Sequence, residues 1–279
     1  MTVAVAVAVG VLVGAAVLLA THHLLSQPVF SRTNHRGRPV PTAGGLVVVI
    51  AALGVEAAWS LAEVGGLLDP GATVARRAVL LAVVGFGMLG LVDDLAGSGE
   101  DGRGFRGHLR ALARGRLTTG GLKLLGGAAI AIVVCAPRAD GRLGRLLVDA
   151  MLVALAANLG NLFDRAPGRT TKVGLAAGLV VVAAAGAPTS LAGTAVVLGA
   201  ALATLPADLR ERLMLGDTGA NALGGALGLG VVLAFAPPVR LGALIAVVVL
   251  NVASEAVSFS RVIDTVPPLR WLDRLGRAA

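Results

Sequence analysis

Long apolar runs separated by short polar stretches dominate this chain. The first, AVAVAVGVLVGAAVLLA, has no polar side chain from residue 4 to residue 20. A helix that crosses a bilayer takes roughly 20 mostly apolar residues. Nine segments reach or approach that length, near 2–25, 42–62, 77–92, 121–136, 146–163, 173–187, 190–205, 219–236 and 239–258. None shows the strict apolar–polar alternation of a membrane β-barrel. The pattern predicts an all-α fold, a polytopic transmembrane bundle of about nine helices, with residues 1–279 forming one integral-membrane domain.

Composition removes the soluble alternative. Hydrophobic residues make up 56% of the chain and charged residues 14%, with a mean hydropathy of +0.85, outside the range of soluble globular domains. The 39 glycines suit membrane helices, where small side chains let backbones approach. The first apolar run lacks a basic flank and a small-residue cleavage site, so it reads as a retained helix and not a signal peptide. Cys135 is the one cysteine and forms no internal disulfide.

Basic residues assign the sides. Arg32, Arg36 and Arg38; Arg103, Arg106, Arg110, Arg114, Arg116 and Lys123; Arg165, Arg169 and Lys172; Arg210 and Arg212; and Arg261, Arg270, Arg274 and Arg277 fall on alternate loops and the tail. The opposite loops hold Arg76, Arg77, Arg138, Arg142, Arg145 and Arg240. Basic loops stay in the cytoplasm, so the N-terminus is expected outside and the C-terminus inside the cell membrane. The net charge of +8 then reads as attraction to anionic headgroups, and no nucleic-acid motif accompanies it.

Four polar segments interrupt this apolar chain at expected cytoplasmic helix ends: TNHRGRPVPTAGG at 33–45, GLVDDLAG at 90–97, NLGNLFDRAPGRTTK at 158–172 and MLGDTGAN at 214–221. One aspartate at a helix end is ordinarily a solvated cap. Asp93, Asp94, Asp164 and Asp217 on one membrane face are a different matter, because massed carboxylates repel unless a cation sits among them. A site with few carboxylates, completed by substrate phosphates, is the habit of Mg²⁺. The glycines beside Asp217 admit close backbone approach, and a helix N-terminus favours phosphate. Asn158, Asn161 and Asp164 recur every three residues on one helix face, either as ligands for a nucleotide or metal or as interhelical hydrogen bonds.

Taken in order, these segments resemble the polyprenyl-phosphate N-acetylhexosamine-1-phosphate transferase superfamily, which includes lipid I synthase and the undecaprenyl-phosphate GlcNAc-1-phosphate transferases. The resemblance runs from PTAGG at 41–45 to the tail and rests on Asp93–Asp94, N-x-x-N-x-x-D at 158–164 and GDTGAN at 216–221. It implies transfer of a sugar-1-phosphate from a UDP-sugar to a polyprenyl phosphate (undecaprenyl or decaprenyl), with release of UMP, in cell-envelope glycan synthesis. Asp217 matches the metal-binding aspartate, for Mg²⁺ with Mn²⁺ as substitute. Asp93, Asp94 and Asp164 match the catalytic acids around the diphosphate and the attacking phosphate. Lys123, Asn158, Asn161, Thr42 and Arg36 fall in the expected substrate-binding positions, and a homodimer is implied by resemblance alone.

The chain departs from the pattern twice. Pro167 stands where a second acid is expected, and the four histidines, His22, His23, His35 and His108, all lie in the first half, leaving the tail without the family's histidine-rich motif. That tail points to a simple UDP-linked N-acetylhexosamine as donor. Two other classes remain open: a catalytically silent relative acting as a scaffold, and a lipid-linked carrier or flippase. His22 and His23 read as interfacial, Trp59 and Trp271 as interface anchors, Asn251 with Glu255 as either site or structural groups, and Glu56 as outside the site.

Overall fold

The computed structural model describes residues 1–34, 36–68, 71–97, 113–115 and 118–277. His35, His108, Arg103, Arg106, Arg110 and Arg116 lie outside the described residues. Helix α1 covers Val3–Leu25 and leads into a two-stranded antiparallel hairpin, β1 (Ser31–Thr33) and β2 (Pro39–Pro41). The long helices follow: α2 (Leu46–Val64), α3 (Thr73–Ala96), α4 (Thr119–Cys135), α5 (Leu143–Phe163), α6 (Arg169–Ala185), α7 (Ala192–Leu209), α8 (Gly216–Ala234) and α9 (Pro237–Ala256). Two short helices close the chain, α10 (Phe259–Thr265) and α11 (Pro267–Arg274).

Each of the nine apolar segments coincides with one of the helices α1–α9. Among the described residues, seven helices are long and apolar enough to cross a membrane. Helices α6 and α8 fall outside that set. With 17 residues, α6 spans about 26 Å at 1.5 Å per residue, short of a hydrocarbon core of roughly 30 Å. Helix α8 is long enough, but its glycines and the polar Asp217, Thr218 and Asn221 lower its hydropathy. It runs through the centre of the bundle against α3, α5, α6 and α7, so its glycines and polar residues meet other helices and not lipid.

The packing is inverted relative to a soluble protein. Buried positions are rich in alanine, glycine, threonine and valine, while Leu12, Leu19, Met88, Leu179, Val180 and Val252 are exposed. Such a surface suits hydrocarbon and would associate in water. Where lipid surrounds the helices, their association depends on close van der Waals packing between small residues. Helix α8 makes that packing on two sides. A Cβ on Gly90 of α3 would stand 2.2 Å from the Asp217 carbonyl, and one on Gly160 of α5 would stand 2.3 Å from the Ala220 carbonyl.

The end of the bundle away from the four polar segments is held by buried ion pairs. Arg76 Nε donates to Glu56 Oε2 at 2.9 Å and its guanidinium also reaches Glu63, while its charge lies 4.6 Å from the Trp59 ring centroid. Trp59 is thus a packing partner of Arg76 as well as an aromatic near a helix end. Arg240 pairs with Asp149 at 2.9 Å. His22 and His23 are exposed at the end of α1.

Candidate acidic site at one end of the bundle

Asp93 and Asp94 occupy the last turn of α3. Neighbouring residues on a helix point about 100° apart, and the two side chains meet different partners. Asp94 turns toward the N-terminus of α8. Its Oδ1 accepts from the Asp217 N–H (3.0 Å) and the Thr42 hydroxyl (3.2 Å), and its Oδ2 accepts from the Thr218 N–H (2.9 Å) and hydroxyl (2.6 Å). Asp94 therefore caps α8 from another helix, satisfying otherwise unpaired amides and balancing the dipole.

Asp93 turns instead toward Lys123 in the first turns of α4. Lys123 Nζ donates to Asp93 Oδ2 at 2.7 Å and also to Asp217 Oδ2. Asn161 Nδ2 donates to the same Asp217 oxygen at 3.2 Å. Four helices thus meet at one carboxylate: α3, α4, α5 and α8. The helix ends are fixed by backbone bonds, since the Gly44 and Gly45 amides donate to the Met214 and Leu215 carbonyls at 2.9 and 2.8 Å, and the Met214 amide to Pro41 at 2.7 Å. Gly45 and Gly219 touch so closely that a Cβ on Gly45 would lie 1.9 Å from the Gly219 nitrogen. Ala43, fully buried, takes a left-handed φ of 57° in this turn, a conformation costing a non-glycine residue roughly 1–2 kcal/mol.

Asp164 ends α5 as its C-cap. Burial, together with repulsion from Asp208, Asp217 and Asp94, raises its carboxyl well above the ordinary carboxylate range, while a hydrogen bond from Thr170 acts in the opposite direction. Part of its surface still meets solvent. Asp93 and Asp217 share the Lys123 ammonium, while the Asp164 carboxyl lies within electrostatic reach of Asp208, Asp217 and Asp94.

The other expected site residues fall at the margins. Asn158 donates to Asn251 Oδ1 at 2.7 Å, and Asn251 donates to the Leu155 carbonyl at 3.2 Å, so this pair ties α5 to α9. Glu255 is exposed. Arg36, in the hairpin turn, forms an ion pair with Glu211 at 3.1 Å. Thr42 is buried against Asp94.

Two features escape the sequence pattern. Asp208 is buried near the C-terminal end of α7, where the helix dipole disfavours an anion, and it accepts from the Gly168 amide at 3.1 Å. That unfavourable placement was the available signal. The second is the role of the segment after Asp164. Arg169 donates to both oxygens of Asp273 in α11 at 2.8 and 3.0 Å and to Ser260 at 2.7 Å. Arg277 adds a bond to the Pro167 carbonyl at 3.0 Å. Pro167 and Arg169 are therefore where the tail docks.

An apolar groove with a cavity of about 170 Å³ opens between α5, α6, α8 and α9. It passes Gly160, Phe163, Val173, Leu223 and Val247 and reaches Leu152 deeper in the bundle. Gly160 and Phe163, which line it, are the sequence neighbours of Asn161 and Asp164 on α5.

Among the described residues, no group of three or more His, Cys, Asp and Glu side chains stands ready to hold a metal ion. Asp93 and Asp217 nevertheless present two carboxylates to one point, the position taken by the Lys123 ammonium. A hard, all-oxygen pair of this kind fits Mg²⁺ completed by phosphate and water. No protein-family model matches the chain, and no curated protein matches it.

Proposed function

We propose that this protein is a membrane phosphoglycosyl transferase, moving a sugar-1-phosphate from a UDP-sugar to a polyprenyl phosphate and releasing UMP. The observation that carries this reading is the convergence of Asp93, Lys123, Asn161 and Asp217 at one end of an apolar bundle, beside a groove of hydrocarbon character. The ordered motifs that resemble the polyprenyl-phosphate N-acetylhexosamine-1-phosphate transferases support it. In this reading nine helices cross the cell membrane, and the site faces the cytoplasm, where the basic loops lie.

The reaction joins two anions. A prenyl phosphate has a second pKa near ~6, so at neutral pH it is largely dianionic and already nucleophilic. One of its oxygens attacks the phosphorus attached to the sugar, a new P–O bond forms, and the bond to the bridging oxygen breaks, with the electron pair leaving on UMP. Asp217 and Asp93 would hold Mg²⁺ or Mn²⁺, which would supply positive charge to the diphosphate. Lys123, released from its two carboxylates, turns its ammonium to a phosphate oxygen. By the resemblance, Asp164 lies beside the attacking phosphate. Asn161 positions Asp217, and Asp94 with Thr42 fixes the amides at the start of α8.

Purified protein supplied with undecaprenyl phosphate, Mg²⁺ and a panel of UDP-sugars tests this reading. UMP release coupled to a lipid-linked sugar supports it. Binding of both substrates without turnover would replace it with a silent relative or a carrier.

A further inference from the structure

The C-terminal helix α11 is divided lengthwise. At 100° per residue, Trp271, Leu275, Pro268, Leu272 and Leu269 share one continuous arc, while Asp273, Arg270 and Arg274 occupy the other. Among the described residues this apolar arc is largely uncovered: Trp271 is 64% exposed, Leu272 52% and Leu275 53%. The polar arc is split in function. Asp273 is buried against Arg169 and Arg277, whereas Arg270 and Arg274 are exposed. The helix is therefore pinned to the bundle on one flank and bare on the other.

We propose that the bare flank of α11 docks on an acidic phospholipid bilayer surface, with Trp271, Leu272 and Leu275 entering the headgroup–acyl boundary and Arg270 and Arg274 pairing with lipid phosphates. Two observations select this occupant. The arc follows closely in the chain on α9, whose own apolar side chains Val249 and Val252 are exposed. The charge beside it is cationic, as an anionic surface requires. Docking also bears on the polar end of the bundle, because Asp273 and Arg277 grip the segment that follows Asp164. A lipid surface that holds α11 thus holds residues 167–172 in register.

The inference does not depend on turnover, and its test reads fluorescence. The full-length Trp59→Phe variant leaves Trp271 as the only tryptophan. It is placed in nanodiscs of phosphatidylcholine alone or with phosphatidylglycerol, made with lipids brominated near the headgroup. The expected result is at least twofold quenching of Trp271 by the brominated lipid, stronger with phosphatidylglycerol, and weak quenching by aqueous iodide. Arg270→Gln with Arg274→Gln should remove the phosphatidylglycerol dependence. Strong iodide quenching without lipid quenching would overturn the proposal. Protection from both quenchers would assign the arc to a second copy of the chain and overturn it equally.

Discussion

The Lys123 ammonium binds the Asp217 carboxylate across 94 positions of sequence and holds Asp93 at the same time. One cation thus keeps two carboxylates from different helices together. Removing it leaves like charges facing one another at side chains only 22–26% exposed. Breaking a buried pair costs about 3–5 kcal/mol, and partial hydration lowers the expected cost for Lys123→Met to about 2 kcal/mol. Thermal unfolding in detergent should show a lower midpoint for Lys123→Met and partial recovery in the double variant with Asp217→Asn. Identical midpoints for all three proteins would contradict this role.

Asp217 and Asp94 should separate function from architecture. Asp217→Asn keeps the shape and removes the charge, so UMP release is expected to fall at least 100-fold, about 2.7 kcal/mol in the barrier, with the fold retained. Asp94→Asn weakens the cap on α8, at a cost of about 1–2 kcal/mol. Its unfolding midpoint should drop along with activity. A stable, fully active Asp217→Asn protein would refute the assignment.

Glycine contacts offer a test that needs no substrate. Gly45→Ala would force a methyl into the Gly219 backbone, and the expected result is loss of the folded protein in detergent. Gly54 has nothing within 4 Å of an added Cβ. Gly54→Ala should be neutral or stabilising by up to about 1 kcal/mol. Size-exclusion profiles and melting curves of the two variants compare them directly, and equal behaviour would undermine the packing argument.

The tail clamp sets a pH dependence with a definite sign. Burial works to raise the Asp273 carboxyl, but the hydrogen bonds and charge of Arg169, with the charges of Arg277 and Lys172, outweigh it and hold the carboxyl below its usual 3.8. A lowered folded value means the stabilisation is complete above the ordinary carboxylate pKa and is lost as pH falls through the lower value. Trp271 emission in the Trp59→Phe protein should stay constant from pH 7 to about 4 and change below it. The Asp273→Asn variant should lack that acidic transition. A transition near neutrality, removed by Asp273→Asn, would reverse the sign.

The membrane orientation can be read with two introduced thiols in a Cys135→Ala background. Arg142→Cys should react with an impermeant maleimide added outside cells, and Arg261→Cys should not. The reverse pattern would invert the proposed topology.

The helices were legible because the apolar period is long and strong, and each of the nine segments became a helix. Their role was less so, since hydropathy cannot say which helix is central. Helix α8 looks like another span in sequence, yet its glycines mark it as the buried axis once Gly90 and Gly160 are seen against it. The aspartates at one end were readable as a group. Their division was not, because Asp93 and Asp94 differ only by rotation around α3. Asn158 resembled a site residue by its spacing from Asn161 but faces α9. The docking of the tail on residues 167–169 depends on a contact between Arg169 and Asp273, distant in the chain, that no local pattern encodes.

The bonds from Gly44 and Gly45 to Met214 and Leu215 join an early segment to a late one. During synthesis, the first seven long helices are made before α8 exists. Until then Asp93 and Lys123 have no Asp217, and the turn at Ala43 has no backbone to hold it in its left-handed form. The acidic end is therefore assembled last, by insertion of a glycine-lined helix into a space the earlier helices must leave open. Substitutions that close this space would act on biogenesis before they act on chemistry, and they would show first as failed insertion and degradation.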